Sequence, residues 1–190
     1  MKVGVLALQG DFREHIKAAT ECGHLAIEIR RASELSEIDA LILPGGESTT
    51  IIHLAQSFDL FEPIKNAIAQ GLPVYGSCAG MILLADRIVG GIAGQKTFGG
   101  LDITVRRNAF GRQVDSFESD LDFNGLSLHA VFIRAPWVEE VGADVEVLSK
   151  VEEHAVAVRQ GNLLATSFHP ELTHDLAVHR YFFDEICKGR

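Results

Sequence analysis

Three residues of this chain have the types and spacing that acyl transfer requires: Cys78 in Gly76-Ser77-Cys78-Ala79-Gly80, and His169 with Glu171 in Ser167-Phe168-His169-Pro170-Glu171. The cysteine follows the apolar pair Val74-Tyr75 and precedes the run Met81-Ile82-Leu83-Leu84, with a glycine two positions to either side. That pattern fits a tight turn from strand to helix, which holds a nucleophile clear of the sheet while the glycines leave room for strained backbone and close packing. The free N–H groups after such a turn favour both a thiolate and a developing oxyanion. Alone, Cys78 reads equally well as a small core hydrophobe, because cysteine is among the most often buried residues. Cys22 and Cys187 lack the glycine bracket and read as core residues.

A catalytic thiol needs a base, and among eight histidines His169 stands out. It ends the apolar run 163–168, and Pro170 biases it toward extended backbone. With a period of two, Glu171 then points the same way and can accept a hydrogen bond from the imidazole, turning it toward the thiol. The same His-Pro-Glu also suits the first turn of a terminal helix. The order nucleophile, histidine, acid differs from that of the α/β-hydrolases, so a distinct fold is implied. His174 and His179 continue at five-residue steps, off a common helical face, and no metal site is expected.

A second glycine turn, Leu43-Pro44-Gly45-Gly46-Glu47-Ser48-Thr49-Thr50, has backbone amides suited to an anion. Neither G-x-x-x-x-G-K-[ST] nor G-x-G-x-x-G is present, which weakens a nucleotide reading. A Gly46 N–H working with the amide of Ala79 would aim two donors at one oxygen, as an acyl-enzyme needs. A plain turn capped by Ser48 fits the same residues.

The elements that must position these groups alternate through the first half. The apolar run at 2–8 reads as a strand buried on both faces, the runs at 25–29 and 39–43 are again short and apolar, and 73–75 begins a further strand. Between them lie helical patterns: one capped at Asp11 and closed by Gly23, one carrying Ile51, Ala55 and Phe58, and one with Pro63 in its first turn, closed by Gly71. This predicts an α/β layered fold with a mainly parallel sheet. From Gly90 the pattern changes to short runs (DITV, HAVFI, VEVLS, HAVAV, LLATSF), read as hairpins or edge strands added to that sheet. Leu172, Leu176, His179, Phe183 and Ile186 predict a docked C-terminal helix.

At 190 residues, with 47% hydrophobic and 23% charged, the chain is expected to form a single domain over 1–190 with a packed core. A formal net charge of -9 argues against nucleic acid and anionic lipid as partners. The N-terminal apolar run is too short for a membrane span and lacks a signal-peptide cleavage pattern, so the expected location is the cytoplasm. Three cysteines without CxxC spacing suggest neither a disulfide framework nor a zinc knuckle.

The pairing of G-S-C-A-G with F-H-P-E resembles the class I, triad-type glutamine amidotransferases. Further segments resemble the glutaminase subunits of pyridoxal 5′-phosphate synthases within them: LQGDFREH at 8–15, LPGGESTT at 43–50, RNAFGRQVDSFE at 107–118, FIRAP at 132–136 and SFHPELT at 167–173. The resemblance covers nearly the whole chain. It implies a flavodoxin-like three-layer sandwich, with Cys78 as nucleophile, His169 as general base then acid, and Glu171 orienting it. It places L-glutamine against Gly46, Glu47, Ser48, Arg107, Ile133 and Arg134, with Arg106 adjoining as an alternative to Arg107. Glu47 suits the ammonium of glutamine, and Arg107 or Arg134 its carboxylate. The resemblance further implies no cofactor, and ammonia passed to a synthase subunit that combines it with a pentose phosphate and a triose phosphate. A glutaminase serving another synthase, such as imidazole glycerol phosphate synthase, would share the triad, but REH, RNAFGRQ and FIRAP argue against it. A redox-sensing α/β protein with a merely reactive Cys78 would leave His-Pro-Glu without a purpose.

Overall fold

The computed structural model describes residues 1–109 and 116–188; residues 110–115 of the RNAFGRQVDSFE segment lie outside the described residues. The first half alternates as its apolar runs predict. It comprises β1 (Lys2–Leu6), α1 (Phe12–Glu21), β2 (Leu25–Ile29), a 3₁₀ turn (Ala32–Glu37), β3 (Ala40–Leu43), α2 (Ser48–Ser57), α3 (Phe61–Ala69), β4 (Val74–Ser77) and α4 (Ala79–Leu84). Eight strands follow: β5 (Ala85–Val89), β6 (Leu101–Arg106), β7 (Ser116–Phe123), β8 (Leu126–Ile133), β9 (Trp137–Val141), β10 (Glu146–Val151), β11 (His154–Gln160) and β12 (Leu163–Thr166). A 3₁₀ turn (Pro170–Leu172), α5 (Ala177–Tyr181) and a π-helical turn (Phe182–Ile186) complete the described chain.

Among the described residues, ten strands form one sheet in the order β2-β1-β3-β4-β12-β11-β9-β6-β5, with β10 on β11. The segment β2-β1-β3-β4-β12 is parallel throughout and has the 2-1-3-4-5 order of flavodoxin-like folds, with β12 as the fifth strand. Antiparallel pairing begins at β11, which continues the sheet into a second, mainly antiparallel wing where β5 on β6 is again parallel. β7 and β8 form a separate hairpin.

Strand residues alternate between two apolar cores, as a sheet covered on both faces requires. Leu41, Leu43, Val74 and Ala165 face α2, α3 and α4 in one core. Ala40, Ile42, Tyr75 and Leu164 face α1, α5 and the β7–β8 hairpin in the other. The result is a three-layer sandwich.

The structure corrects three expectations. The terminal helix begins at Ala177 rather than near Leu172, because Pro170 opens a 3₁₀ turn and the Asp175 carboxylate accepts the Ala177 N–H at 2.8 Å to start the helix; Leu172 is left 43% exposed. Phe58 lies one residue beyond α2 and is 57% exposed, so it does not share the buried face of Ile51 and Ala55. Asp11 occupies the N-cap of α1, but its side chain caps nothing. It turns toward His169 instead, with Oδ2 3.8 Å from Nδ1. Among the described residues, no helix is long and apolar enough to cross a membrane.

Candidate active site

In open parallel sheets, ligands bind beyond the carboxyl ends of the strands. The chain leaves β1 through Gln9-Gly10-Asp11, β3 through Gly45-Gly46-Glu47, β4 through Cys78 and β12 toward His169, and these four exits converge on one cleft of about 490 Å³. All the glutamine-site residues expected from sequence line it: Gly46, Glu47, Ser48, Arg107, Ile133 and Arg134. Cys78, Ala79 and His169 line it too, while Glu171 stands behind His169 with a fully buried side chain.

Cys78 sits between β4 and α4 at φ 49°, ψ -100°, a left-handed conformation that costs a non-glycine residue free energy and persists only where its surroundings enforce it. The enforcement is visible. Its N–H donates to the Thr166 carbonyl at 2.8 Å and its carbonyl accepts the Met81 N–H at 3.1 Å. The flanking glycines permit the packing: a Cβ on Gly76 would lie 2.5 Å from the Gly80 backbone, and one on Gly80 would lie 2.2 Å from the Leu43 carbonyl oxygen. Because α4 is only six residues long, the local N–H of Ala79 matters more here than a helix macrodipole. The Cys78 Sγ lies 3.9 Å from the Ile133 carbonyl oxygen, at the cleft floor.

His169 is brought to the cysteine by a turn rather than by strand periodicity. β12 ends at Thr166, the His169 N–H donates to the Val131 carbonyl at 2.9 Å, and Pro170 starts the 3₁₀ turn that carries Glu171 back beneath the imidazole. Nδ1 lies 2.7 Å from Glu171 Oε1. Asp11, His169 and Glu171 are the acid and imidazole cluster compact enough to hold a metal among the described residues. The ring nitrogen a metal would need there is already engaged by Glu171.

Burial disfavours the imidazolium of His169, but hydrogen bonding to Cys78 and Glu171, reinforced by their charge, pushes its pKa up to about 11. Burial likewise opposes the Glu171 carboxylate, yet the charge and hydrogen bonding of His15 and His169 hold it well below the usual carboxylate range. A cationic imidazole beside a thiol is the setting in which cysteines act as nucleophiles.

The opposite wall is a polar lattice. Glu47 caps α2 through the Thr50 N–H at 2.8 Å and takes the hydroxyls of Thr49 and Thr50; these donors outweigh burial and bring its pKa down to about 2. Arg107 donates to Glu47 at 2.8 Å and to the Gln95 side-chain oxygen at 2.7 Å, and the Gln95 side-chain nitrogen donates to the Ser48 hydroxyl at 3.0 Å. Ser48 is thus buried and bonded but does not cap its helix. Arg106 pairs with Glu139 and does not line the cleft. Arg134 is exposed at the rim, at φ 46°.

Sequence reasoning gave Gln9, Gly10, Ile82 and Asn108 no place in the site and Asp11 only a capping role, yet all five line the cleft. The loop 9–11 was detectable as the exit of the first strand, by the carboxyl-end rule. Gln9 accepts the Glu47 N–H at 2.8 Å, and Gly10 packs so closely on Gly45 that a Cβ would meet its carbonyl oxygen at 1.7 Å. Ser77, whose hydroxyl lies 3.0 and 3.1 Å from the two Glu171 oxygens, was also missed.

An α/β protein with a cysteine on the turn after its fourth parallel strand, and a histidine–acid pair just past the fifth, falls into the class of cysteine-dependent amide-transfer enzymes with a flavodoxin-like sheet. The comparisons narrow that class. A family model described as the SNO glutamine amidotransferase family matches residues 5–188, and the chain belongs to that family. It is 63% identical over 188 residues to pyridoxal 5′-phosphate synthase subunit PdxT of Parafrankia sp. (strain EAN1pec), covering 97% of this chain and 93% of that protein. It is 60% identical over 189 residues to the subunit of the same name from Mycolicibacterium smegmatis, covering 97% and 98%. A crystal structure of a glutamine amidotransferase superposes with a TM-score of 0.90 at 51% identity, covering 96% of this chain and 97% of that one.

Proposed function

We propose that the chain hydrolyses L-glutamine to L-glutamate and ammonia through Cys78, His169 and Glu171, and delivers the ammonia to the synthase subunit of a pyridoxal 5′-phosphate synthase. The observation that carries the reaction is the buried His169–Glu171 pair, 2.7 Å apart, opening onto the same cleft as a cysteine held at positive φ. The cleft also offers both signs of charge that the α-ammonium and α-carboxylate of glutamine require, in Glu47 and in Arg107 and Arg134. Glu47 and Arg107 pair with each other in this structure, so glutamine binding would insert its charged end between or beside them.

The Cys78 thiolate attacks the side-chain amide carbon, and the C=O electron pair moves onto oxygen, where the amides of Gly46 and Ala79 are the proposed donors. Collapse expels the amide nitrogen, protonated by His169, as ammonia and leaves a glutamyl thioester. His169 then takes a proton from water, which attacks the thioester, and Cys78 leaves as the thiolate with glutamate released. Glu171 holds the imidazole in the tautomer that presents Nε2 to sulfur.

The destination of the ammonia rests on relatives named as pyridoxal 5′-phosphate synthase subunits that match over nearly their full length. Such a synthase combines ammonia with a pentose phosphate and glyceraldehyde 3-phosphate, whose charge keeps them from crossing a bilayer unaided, which supports a cytoplasmic reaction. The test is glutamate release from glutamine with and without a pyridoxal 5′-phosphate synthase subunit. Cys78→Ala is expected to abolish it while leaving the fold intact. Unchanged turnover in that variant would sink the nucleophile, and stimulation only by a different synthase would sink the partner but spare the triad.

A further inference from the structure

The mechanism leaves two fully buried histidines without a task. His15 on α1 and His179 on α5 are both 0% exposed, and both lie on the far side of Glu171 from the cleft. His15 Nε2 is 3.5 Å from Glu171 Oε2, the carboxylate oxygen that His169 does not use, and His15 Nδ1 is 3.0 Å from His179 Nε2. Neither His15 Nε2 nor His179 Nδ1 meets a partner in hydrogen-bond geometry, so His15 approaches Glu171 as a buried 3.5 Å contact. Buried imidazoles are costly unless bonded, so a chain of two that ends on a catalytic carboxylate calls for an explanation.

We infer that His15 is a positioning residue for the triad: it donates its Nε2–H to Glu171 and thereby fixes the carboxylate that orients His169, with His179 in turn fixing the His15 tautomer. This deepens the glutaminase reading above and rests on it. The hydrogen bookkeeping selects one arrangement. If His15 Nε2 carries the hydrogen that faces Glu171, its Nδ1 accepts, and His179 must donate from Nε2. That leaves His179 Nδ1 as a bare lone pair, one of the two orphans, and gives the other, His15 Nε2–H, the Glu171 carboxylate 3.5 Å away as its acceptor. A neutral His179 agrees with its surroundings, because burial and then His15 bring its pKa down to about 3. The edge of the Tyr75 ring closes the pocket, with centroids 5.8 Å from His15 and 5.7 Å from His179. Glu171 is therefore bonded by His169 and Ser77 and approached at 3.5 Å by His15, and its side chain is fully buried. One carboxylate held from three sides cannot swing away when His169 moves its proton between sulfur, ammonia and water.

Two amide replacements separate positioning from mere packing. In His15→Gln the amide nitrogen reaches the place of Nε2 and can still donate to Glu171. In His15→Asn it reaches only the place of Nδ1, facing His179. Glutaminase activity is measured on the full chain with a pyridoxal 5′-phosphate synthase subunit, and alkylation of Cys78 by iodoacetamide is followed from pH 5 to 10 on the chain alone. The groups that face His15 and share this titration are Glu171, His179, Asp11 and Tyr75. His15→Asn is expected to lose about tenfold or more in kcat, with KM within about twofold, and to shift the pH dependence of alkylation, as removal of an orienting partner does elsewhere. His15→Gln is expected to keep most of the wild-type rate and the wild-type profile.

Equal activity and equal alkylation profiles in the two variants, both folded by circular dichroism, overturn the proposal. So does a His15→Gln as impaired as His15→Asn. Should His15→Asn fail to fold, His179→Leu reads the same relay from its outer end: a shifted alkylation profile supports it and an unchanged one overturns it. If wild type itself releases no glutamate, or Cys78→Ala is as active as wild type, it is the glutaminase reading that has failed.

Discussion

Cys78, His169 and Glu171 are each held in the charge state or geometry that each would least prefer alone. The cysteine sits at φ 49°, the histidine is raised to about 11 although buried, and the buried glutamate stays ionised. Their mutual contacts compensate, and the sign of each contribution follows from linkage. His169 is raised above its ordinary value of 6.5, so its stabilisation is complete below about pH 6.5 and is lost as pH climbs toward 11. His179 runs the other way. It is buried neutral with its pKa lowered to about 3, so the unfolded chain binds the extra proton first, and stability falls as pH drops from 6.5 toward 3. Each unit of that interval costs up to about 1.4 kcal/mol. His179→Gln removes the titrating group while an amide can still donate to His15. Urea unfolding at pH 6.5 and pH 5 should show wild type losing about 1.5 kcal/mol more than the variant. A stability difference that does not change with pH would show that His179 is not held neutral.

The turn between β4 and α4 is where element packing and chemistry coincide. A Gly80→Ala methyl would sit 2.2 Å from the Leu43 carbonyl oxygen, a rigid backbone atom at the end of β3, so α4 must move and take Cys78 with it. Overpacking against backbone costs about 1–3 kcal/mol. Gly80→Ala is therefore expected to lose about that much in urea unfolding and to lose glutaminase activity even where it remains folded. A variant with wild-type unfolding and wild-type turnover would mean the elbow has slack that this packing denies. The glycine bracket made this element legible in sequence, as did the apolar runs of β1, β3 and β4, because burial on both faces imposes a continuous hydrophobic signal; β2, at the sheet edge with Leu25 exposed, carried an apolar run without that burial. β7 was missed because its exposed face carries Glu118, Asp120 and Asp122, and β9 because it reads Trp-Val-Glu-Glu-Val, with Glu139 and Glu140 exposed. β5 was missed because Ala85 continues the apolar run of α4, and nothing local marks the break. In the site, the convergence of Cys78 with His169 and Glu171 was legible from residue type and local bracket. His15, Ser77 and Gln95 were not, since their roles come from partners 47 to 164 positions away in sequence.

Taken whole, the molecule places its fifth parallel strand at the centre of the sheet rather than at an edge. β12 pairs with β4 on one side and with β11 on the other, joining the parallel half to the antiparallel wing. It also leads into His169, so the proposed base hangs from the seam between the two halves. Neither half can lose β12 without exposing a long unpaired edge, and strand edges of that kind are unstable in isolation. The chain should therefore unfold as one unit, as expected for a single domain over 1–190. The sequence supplies a probe for each half. Its one tryptophan, Trp137, lies on β9 in the antiparallel wing, stacked on His154 with ring centroids 3.6 Å apart, while α1 to α4 cover the parallel half and dominate the far-ultraviolet circular dichroism. Urea titrations followed by tryptophan fluorescence and by circular dichroism at 222 nm are expected to coincide in midpoint and slope. Fluorescence that changes at lower urea than the helical signal would show a wing that melts by itself. The His169–Glu171 pair would then be anchored by the parallel half alone, and the seam would carry no mechanical link between the wing and the nucleophile.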